Sequence, residues 1–104
     1  MNNGRLKLHD ELCLILGSDN VYFQPPESLK MSYPAIVYSR ADVINTHASD
    51  SVYDTVVKYN VTIVDRDPDS VIVEKMIAFK HAIFERHYVA SGLNHDMFVV
   101  SYTK

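Results

Sequence analysis

The clearest pattern in the chain is an alternation of side-chain character from Tyr53 to Val64. One set of alternate positions holds only Tyr, Thr and aliphatic residues, whereas the other set includes Asp54, Lys58 and Asn60. This period of two predicts a β-strand with one buried face and one more polar face. Twelve residues at roughly 3.3 Å each make a strand of about 40 Å, about twice the usual length. Part of this strand is therefore expected to project beyond the domain.

A second strand is predicted upstream, from Pro34 towards Val43. Its first residues, 35–38, are apolar on both faces, which is typical of a strand that is central in its sheet or covered on both sides. A proline at the first position of a strand removes no inner hydrogen bond of the ladder. The stretch from Ile44 to Ser51 has the composition of a loop, so it predicts the connection between the two strands of a long β-hairpin.

A short strand from Val21 to Phe23 is predicted before the hairpin, and Pro25 and Pro26 end it. Proline has no N–H group to donate to a ladder, so it is confined to the edges and ends of strands. The chain from Gln24 to about Tyr33 is therefore expected to cross the rim of the sheet as an irregular or polyproline-like segment.

Two segments carry apolar residues at helical spacings. The first runs from Arg5 to Leu16 and is predicted to end at Gly17. The second follows Asp67, a residue type that caps helices, and is predicted to run from about Pro68 to Arg86. The predicted inward stripe of this second helix consists of Ile72, Met76, Phe79 and Ile83.

The end of the chain predicts a connection over residues 90–96 and a final strand from Met97 to Tyr102. The order α-β-β-β-α-β, with one long hairpin and no regular alternation of strand and helix, indicates the α+β class. We therefore expect a single domain over residues 1–104. Its predicted architecture is an antiparallel sheet of about four strands, with a long β-hairpin and two helices packed on one face.

Composition narrows the classes of function. The chain has 104 residues, of which 47% are hydrophobic and 22% charged, as in a globular domain. Ten basic against thirteen acidic residues give a net charge of -3, which argues against tight binding of nucleic acid phosphates. Cys13 is the only cysteine, so no internal disulfide can form, and a reducing cytoplasm is expected. The polar N-terminus predicts neither a signal peptide nor a membrane span.

The acidic residues Asp65, Asp67 and Asp69 alternate as they do at the start of a calcium-binding loop. In that template the turn glycine would fall at Ser70 and the bidentate glutamate at Met76, so the template fails twice. Acids near the positive end of a helix explain the same residues. The sequence therefore predicts no metal site in this stretch.

The spacing of the histidines, serines and glycines supports no zinc site, catalytic nucleophile or phosphate-binding loop. His81 and Glu85 lie one helical turn apart in the predicted second helix, but no second histidine completes a His-Glu-x-x-His zinc motif. No serine lies in a Gly-x-Ser-x-Gly elbow, and three glycines form no phosphate-binding loop. We expect no catalytic residue and no cofactor. A small enzyme or ligand-binding domain using His81, Glu85 and His87 remains an alternative of another class.

Five short motifs carry a resemblance to a known family. They are VYFQPP from Val21, YPAIVY from Tyr33, YNVTIVDRDPDS from Tyr59, and RHY with LNHD near the end of the chain. Together they resemble the small neck and tail proteins of long-tailed bacteriophages, and most closely the tail terminator family, also called tail-completion or tail-to-head joining proteins. The resemblance spans residues 21–102.

This resemblance implies a structural virion protein without enzymatic activity. Members of the family form a hexameric ring on the last ring of the tail tube and dock to the head connector. The implied partners are copies of the chain itself, the tail-tube protein and head-completion or connector proteins, with no membrane involved. DNA would pass through the lumen without specific binding, which suits the acidic balance. The implied location is the head–tail interface of the virion, after assembly in the host cytoplasm.

Two segments are predicted to make contacts between subunits or to line the lumen. The hairpin tip contributes Arg40, Asp42, Ile44, His47, Asp50 and Asp54, and the crossing contributes Gln24, Pro25, Pro26 and Lys30. The alternative within the same class is another neck component, such as a head-closure or minor capsid protein.

Overall fold

Five strands form one mixed sheet, and both helices pack on the same face of it. The computed structural model describes residues 3–26, 28–48, 51–79 and 81–103. In that part of the chain the elements are α1 (Asn3–Leu16), β1 (Val21–Phe23), β2 (Ala35–Ala48), β3 (Ser51–Asp65), α2 (Val71–Ile77), β4 (Ala82–Ala90) and β5 (Leu93–Thr103). The α+β class is thus confirmed. Neither of these described helices has the length and apolar character needed to cross a bilayer.

The order of the strands is β1-β2-β3-β5-β4. Neighbouring strands are antiparallel except for β1, which runs parallel to β2 with Val21 opposite Ile36. The predicted antiparallel sheet of about four strands was close, but it lacked β4 and had the direction of β1 wrong. The reason for the parallel pair is the crossing after Phe23, because it carries the chain back to the end of the sheet from which β1 started. As predicted, residues 24–26 and 28–34 contain no helix or strand.

The predicted second helix was wrong over its C-terminal half. α2 ends at Ile77, and its N-cap is Ser70, whose Oγ accepts a hydrogen bond of 3.2 Å from the Ile72 N–H. The following residues 82–90 form β4, which pairs with β5. Ile, Phe, Tyr and Val in this segment suit a pleated strand, and pairing with a distant strand overrides a local helical spacing.

A tight turn replaces the predicted connection over residues 90–96. Ser91 and Gly92 both have positive φ, 54° and 74°, and they join Ala90 to its partner Leu93. Two central residues with positive φ are the requirement of a type I′ hairpin turn, whose twist matches that of the flanking strands. The final strand consequently begins at Leu93 rather than Met97.

The core lies between the two helices and one face of the sheet. Its buried residues on α1 and α2 are Leu8, Leu12, Ile72 and Met76. On the strands they are Val21, Ile36, Tyr38, Val57, Tyr59, Val61, Ile63, Phe98, Val100 and Tyr102. Each fully buried side chain of this kind contributes about 1.5–3 kcal/mol to folding. The placement of both helices on one face is confirmed, and so is the inward direction of Ile72 and Met76. Ile83 is 70% exposed, so its predicted place in the helical stripe was wrong.

The long hairpin projects as expected. Among the described residues, β3 pairs with β5 from Val56 to Asp65, and its first residues, 51–55, pair in the sheet with β2. The strands are longer than predicted, since β2 continues to Ala48 and β3 starts at Ser51. The molecule is correspondingly elongated, with principal extents of 51 × 27 × 23 Å.

Candidate interaction surfaces

The two-stranded end of the hairpin is the first candidate surface. We call it the arm and define it as residues 45–48 of β2 and 51–55 of β3, where the structure describes a ladder between these two strands and no third strand beside it. His47 and Asp54 lie on its strands, with His47 opposite Val52 and Asp54 opposite Thr46. Asp50 lies outside the described residues. Five residues of β3 at roughly 3.3 Å each give the arm a reach of about 16 Å.

Three other predicted residues, Arg40, Asp42 and Ile44, lie exposed at the base of the arm. A bulge falls between Arg40 and Asp42, and the Asp42 carboxylate accepts a hydrogen bond of 2.8 Å from the Val43 N–H. Bulges bend a strand and increase its twist. Val43 and Ile44 are each more than two-fifths exposed, one on either face of the hairpin. The base of the arm therefore presents apolar side chains on both faces.

The crossing between β1 and β2 is held at both ends. The Gln24 N–H donates to the Tyr38 carbonyl at 2.9 Å, and the Gln24 Oε1 accepts from the Arg40 N–H at 3.2 Å. At the other end, the Arg66 guanidinium lies 5.7 Å from the centre of the Tyr33 ring. Gln24 thus extends the ladder on β2 within the same chain, using groups that a neighbouring subunit would otherwise contact.

The other predicted residues of this crossing are Pro25, Pro26 and Lys30. Pro25 is half-buried, whereas Pro26 and Lys30 are exposed. A backbone hydrogen bond of 3.0 Å from the Leu29 N–H to the Pro26 carbonyl forms a turn, and Leu29 is 39% exposed. The middle of the crossing therefore offers one cation and one aliphatic side chain to solvent.

Strand β4 is the second candidate surface, and sequence reasoning missed it. In the described part of the chain β4 pairs only with β5, so its other edge is free. Ile83 is 70% exposed, Val89 63%, Phe84 48% and Tyr88 39%. A long apolar edge strand is a template for pairing with another chain. The signals for this strand were its β-forming residues and the Ser-Gly pair that follows it.

His81 and Glu85, predicted to lie one helical turn apart, are not on a helix. His81 precedes β4, and its ring lies 5.4 Å from that of Phe79 and 4.9 Å from that of Tyr102. Glu85 is instead the extra residue of a bulge in β4.

The His87 side chain forms a structural hydrogen bond. The Asn94 amide donates to the carbonyls of Asp65 and Arg66, both at 3.3 Å, so its Oδ1 is the acceptor for the His87 Nε2–H at 3.3 Å. This arrangement ties the end of β3 to β4 and β5.

Two open depressions lie elsewhere on the described surface. One is lined by Asp10, Cys13, Leu14 and Gly17 to Asp19, and the other by Pro68 to Ser70, Val73, Glu74 and Asp96, so neither contains His81 or His87. Burial, together with the charges of Asp19 and Asp10, raises the pKa of the Cys13 thiol. A raised pKa keeps this thiol protonated and weakly nucleophilic.

The three aspartates before α2 bind their own backbone. The Asp65 carboxylate accepts from the Asp67 N–H at 3.1 Å, and the Asp67 carboxylate accepts from the Asp69 N–H at 2.9 Å. Such bonds form the turns that lead into a helix. Among the residues that the structure describes, no group of three or more His, Cys, Asp or Glu side chains could hold a metal ion.

The arm and the β4 edge are therefore the two surfaces with an evident capacity for contact. Among the described residues, the β4 edge offers exposed apolar side chains beside backbone groups that no strand pairs, and the outer edge of the arm on β2 adjoins the exposed Val43 and Ile44 at its base. Unpaired backbone beside apolar side chains is the combination that strand addition requires. Comparison of the chain with family models and with curated proteins found no match.

Proposed function

We propose that this protein is a structural, ring-forming tail terminator subunit that caps a bacteriophage tail tube and joins it to the head connector. The observation that carries the proposal is the arm, a two-stranded extension that no third strand among the described residues supports. An isolated two-stranded hairpin is marginally stable in water, so an arm of this kind gains stability by packing on another subunit. The motifs that resemble the tail terminator family supply the identity of the assembly.

The arm suits a head-to-tail contact. Its outer edge on β2 lies beyond the three residues of β1, so its backbone groups can add to a neighbour's sheet. A contact between two different surfaces of the same subunit repeats from copy to copy and closes into a ring when the rotation permits. Arg40, Asp42 and Ile44 at the arm base would lie at this contact, and Pro25, Pro26 and Lys30 would meet the adjacent copy.

The electrostatic character of the chain supports a lumen rather than a nucleic acid clamp. A net charge of -3 repels phosphates weakly, so DNA moving through a ring of such subunits would not adhere. His47 and Asp54, on the strands of the arm, are proposed to lie near this lumen or the next subunit, and the sequence predicts the same role for Asp50.

Shortening the arm tests the ring contact directly. Replacing residues 46–54 by Asn-Gly leaves Asn45 opposite Thr55, joined by a two-residue turn. We expect native mass spectrometry with the tail-tube protein to show hexamers for the unmodified chain and no rings for the shortened one, while circular dichroism shows that both are folded. Leu14→Gln changes an exposed leucine on α1 and is the matched control that should retain the ring. Monomers alone from the unmodified chain, even with tail-tube protein, would contradict the proposal.

A genetic test separates the terminator from another neck component. A phage that lacks this protein should assemble overlong tails, because nothing stops growth of the tube. Tails of normal length beside heads that leak DNA would instead assign the protein to head closure.

A further inference from the structure

Backbone N–H and C=O groups along β4 point alternately towards β5 and towards the free edge, and one hydrogen bond shows which residues do which. The Ser101 N–H donates to the His81 carbonyl at 3.2 Å, so His81 turns its backbone groups towards β5. Pairs in an antiparallel ladder alternate between bonded and non-bonded, and side-chain face alternates with them. Residues of β4 that share the core face with Val100 and Phe98 therefore direct their N–H and C=O groups outward. These residues are Ala82 and Phe84 before the bulge, and His87 and Val89 after it. The Ala82 N–H already donates to the Phe79 carbonyl at 3.0 Å, so the available edge begins at the Ala82 carbonyl.

The bulge allows β4 to pair with its own copy in a register that a regular strand cannot adopt. Residues directly opposite each other in an antiparallel pair share a face, so a regular strand meeting its copy must place some residue opposite itself. The bulge at Glu85 shifts the alternation by one residue. As a result Ala82 shares a face with Val89, and Ile83 shares the opposite face with Tyr88. A register centred between Glu85 and Arg86 pairs each of these residues with its counterpart in the other copy.

We propose that β4 pairs antiparallel with β4 of a second copy, across a two-fold axis between Glu85 and Arg86. Charge complementarity identifies the second copy as the occupant, because Glu85 then lies opposite Arg86 of the other chain and Arg86 opposite Glu85. Ile83, which is 70% exposed, lies opposite Tyr88, which is 39% exposed. Pairs of β-branched and aromatic residues and pairs of opposite charge both stabilise adjacent strands.

The bulge and the two charged residues also disfavour pairing of β4 with strands of other proteins. Bulges and charged residues on an edge strand normally block pairing with foreign chains. At the two-fold axis each bulge meets an identical bulge and each charge meets its opposite, so only the chain's own copy satisfies the edge. The contact is independent of the proposed ring, because it joins identical surfaces instead of an arm to a different surface.

A charge swap tests the pairing. Sedimentation analysis of the full chain at several concentrations should show a monomer–dimer equilibrium. Arg86→Glu places four carboxylates around the axis and should weaken the dimer by about tenfold or more. The matched double variant Glu85→Arg/Arg86→Glu restores opposite charges across the axis and should recover the dimer. A dimer unaffected by Arg86→Glu, or a folded double variant that stays monomeric, would overturn the proposal.

Cysteine cross-linking tests the register. In a Cys13→Ser background, chains carrying Ile83→Cys should form a disulfide with chains carrying Tyr88→Cys, because the two positions lie opposite each other in a non-bonded pair. The Cα separation of about 4.5 Å in such a pair permits the bond. We expect the cross-linked dimer only when the two chains are mixed. Equal cross-linking of either chain alone would contradict the register. Loss of the dimer on shortening the arm would show that the arm occupies the β4 edge instead.

Discussion

Two buried tyrosine hydroxyls fasten α1 to the sheet. The Tyr38 hydroxyl lies 2.7 Å from the His9 Nδ1 and 3.4 Å from a nitrogen of Arg5. The Tyr102 hydroxyl donates to the Glu11 carboxylate at 2.8 Å. A buried hydroxyl without a partner costs free energy, so these bonds allow large rings to enter the core without that penalty. In the described residues no buried side-chain nitrogen or oxygen lacks a partner.

Removing one of these hydroxyls should lower stability and change its dependence on pH. Tyr102→Phe loses a hydrogen bond to a charged group and should reduce the free energy of unfolding by about 1.5 kcal/mol, measured by urea denaturation. Burial and the hydrogen bond to Glu11 raise the pKa of Tyr102. A raised pKa in the folded state means that the stabilisation is complete below about pH 10 and declines as pH rises further.

The phenylalanine variant should accordingly lose less stability than the unmodified chain above pH 10. Tyr38, whose pKa burial also raises, keeps part of the alkaline sensitivity in both proteins. Tyr22→Phe, on the short strand β1, is the control for removing a tyrosine hydroxyl elsewhere in the fold. An identical alkaline decline in the Tyr102→Phe variant would contradict the assignment.

At the scale of elements, the pattern along the chain predicted those segments whose period is sustained. The alternation from Tyr53 to Val64 corresponds to β3, and the helical spacing from Arg5 to Leu16 corresponds to α1. The segment after Ile77 was different, because Phe79 and Ile83 continue the spacing of Ile72 and Met76 by coincidence. Its true state depends on pairing with β5, a contact that local spacing does not encode.

The two candidate surfaces also differ in how far the sequence predicted them. The projecting hairpin follows from the length of β3 alone, so the sequence predicted it. Arg40, Asp42 and Ile44 were predicted at the hairpin tip, whereas they lie at the base of the arm because β2 continues to Ala48. The β4 edge depends on the Ser91–Gly92 turn, which folds β4 back against β5. The sequence pattern did not predict this surface because it did not predict the strand.

The Ser91–Gly92 turn offers a test of the β4–β5 hairpin. Both residues have positive φ, which asparagine tolerates better than serine, so Ser91→Asn should stabilise the fold by a few tenths of a kcal/mol. Gly92→Ala should destabilise it by about 1 kcal/mol, since a Cβ there meets no atom within 4 Å and the cost is that of the backbone alone. Thermal denaturation measures both changes. A helix continuing through this segment would make Gly92→Ala stabilising, which is the opposite sign.

For the whole molecule, the arm and the β4 edge are separated by the sheet itself. In the order β1-β2-β3-β5-β4, strand β5 lies between the hairpin and β4. The two contacts also differ in symmetry, because pairing of β4 with its copy closes after two subunits whereas an arm contact continues from subunit to subunit. We therefore expect each contact to form without the backbone edge that the other requires.

This independence predicts how variants combine. The arm-shortened chain should remain a dimer through β4, whereas Arg86→Glu should still enter rings with the tail-tube protein. Because distant sites act additively, a chain carrying both changes should be a folded monomer. Native mass spectrometry of the three proteins, with circular dichroism as the control for folding, measures each outcome. Loss of both assemblies on either single change would show one shared interface, and would contradict the separation of the two surfaces.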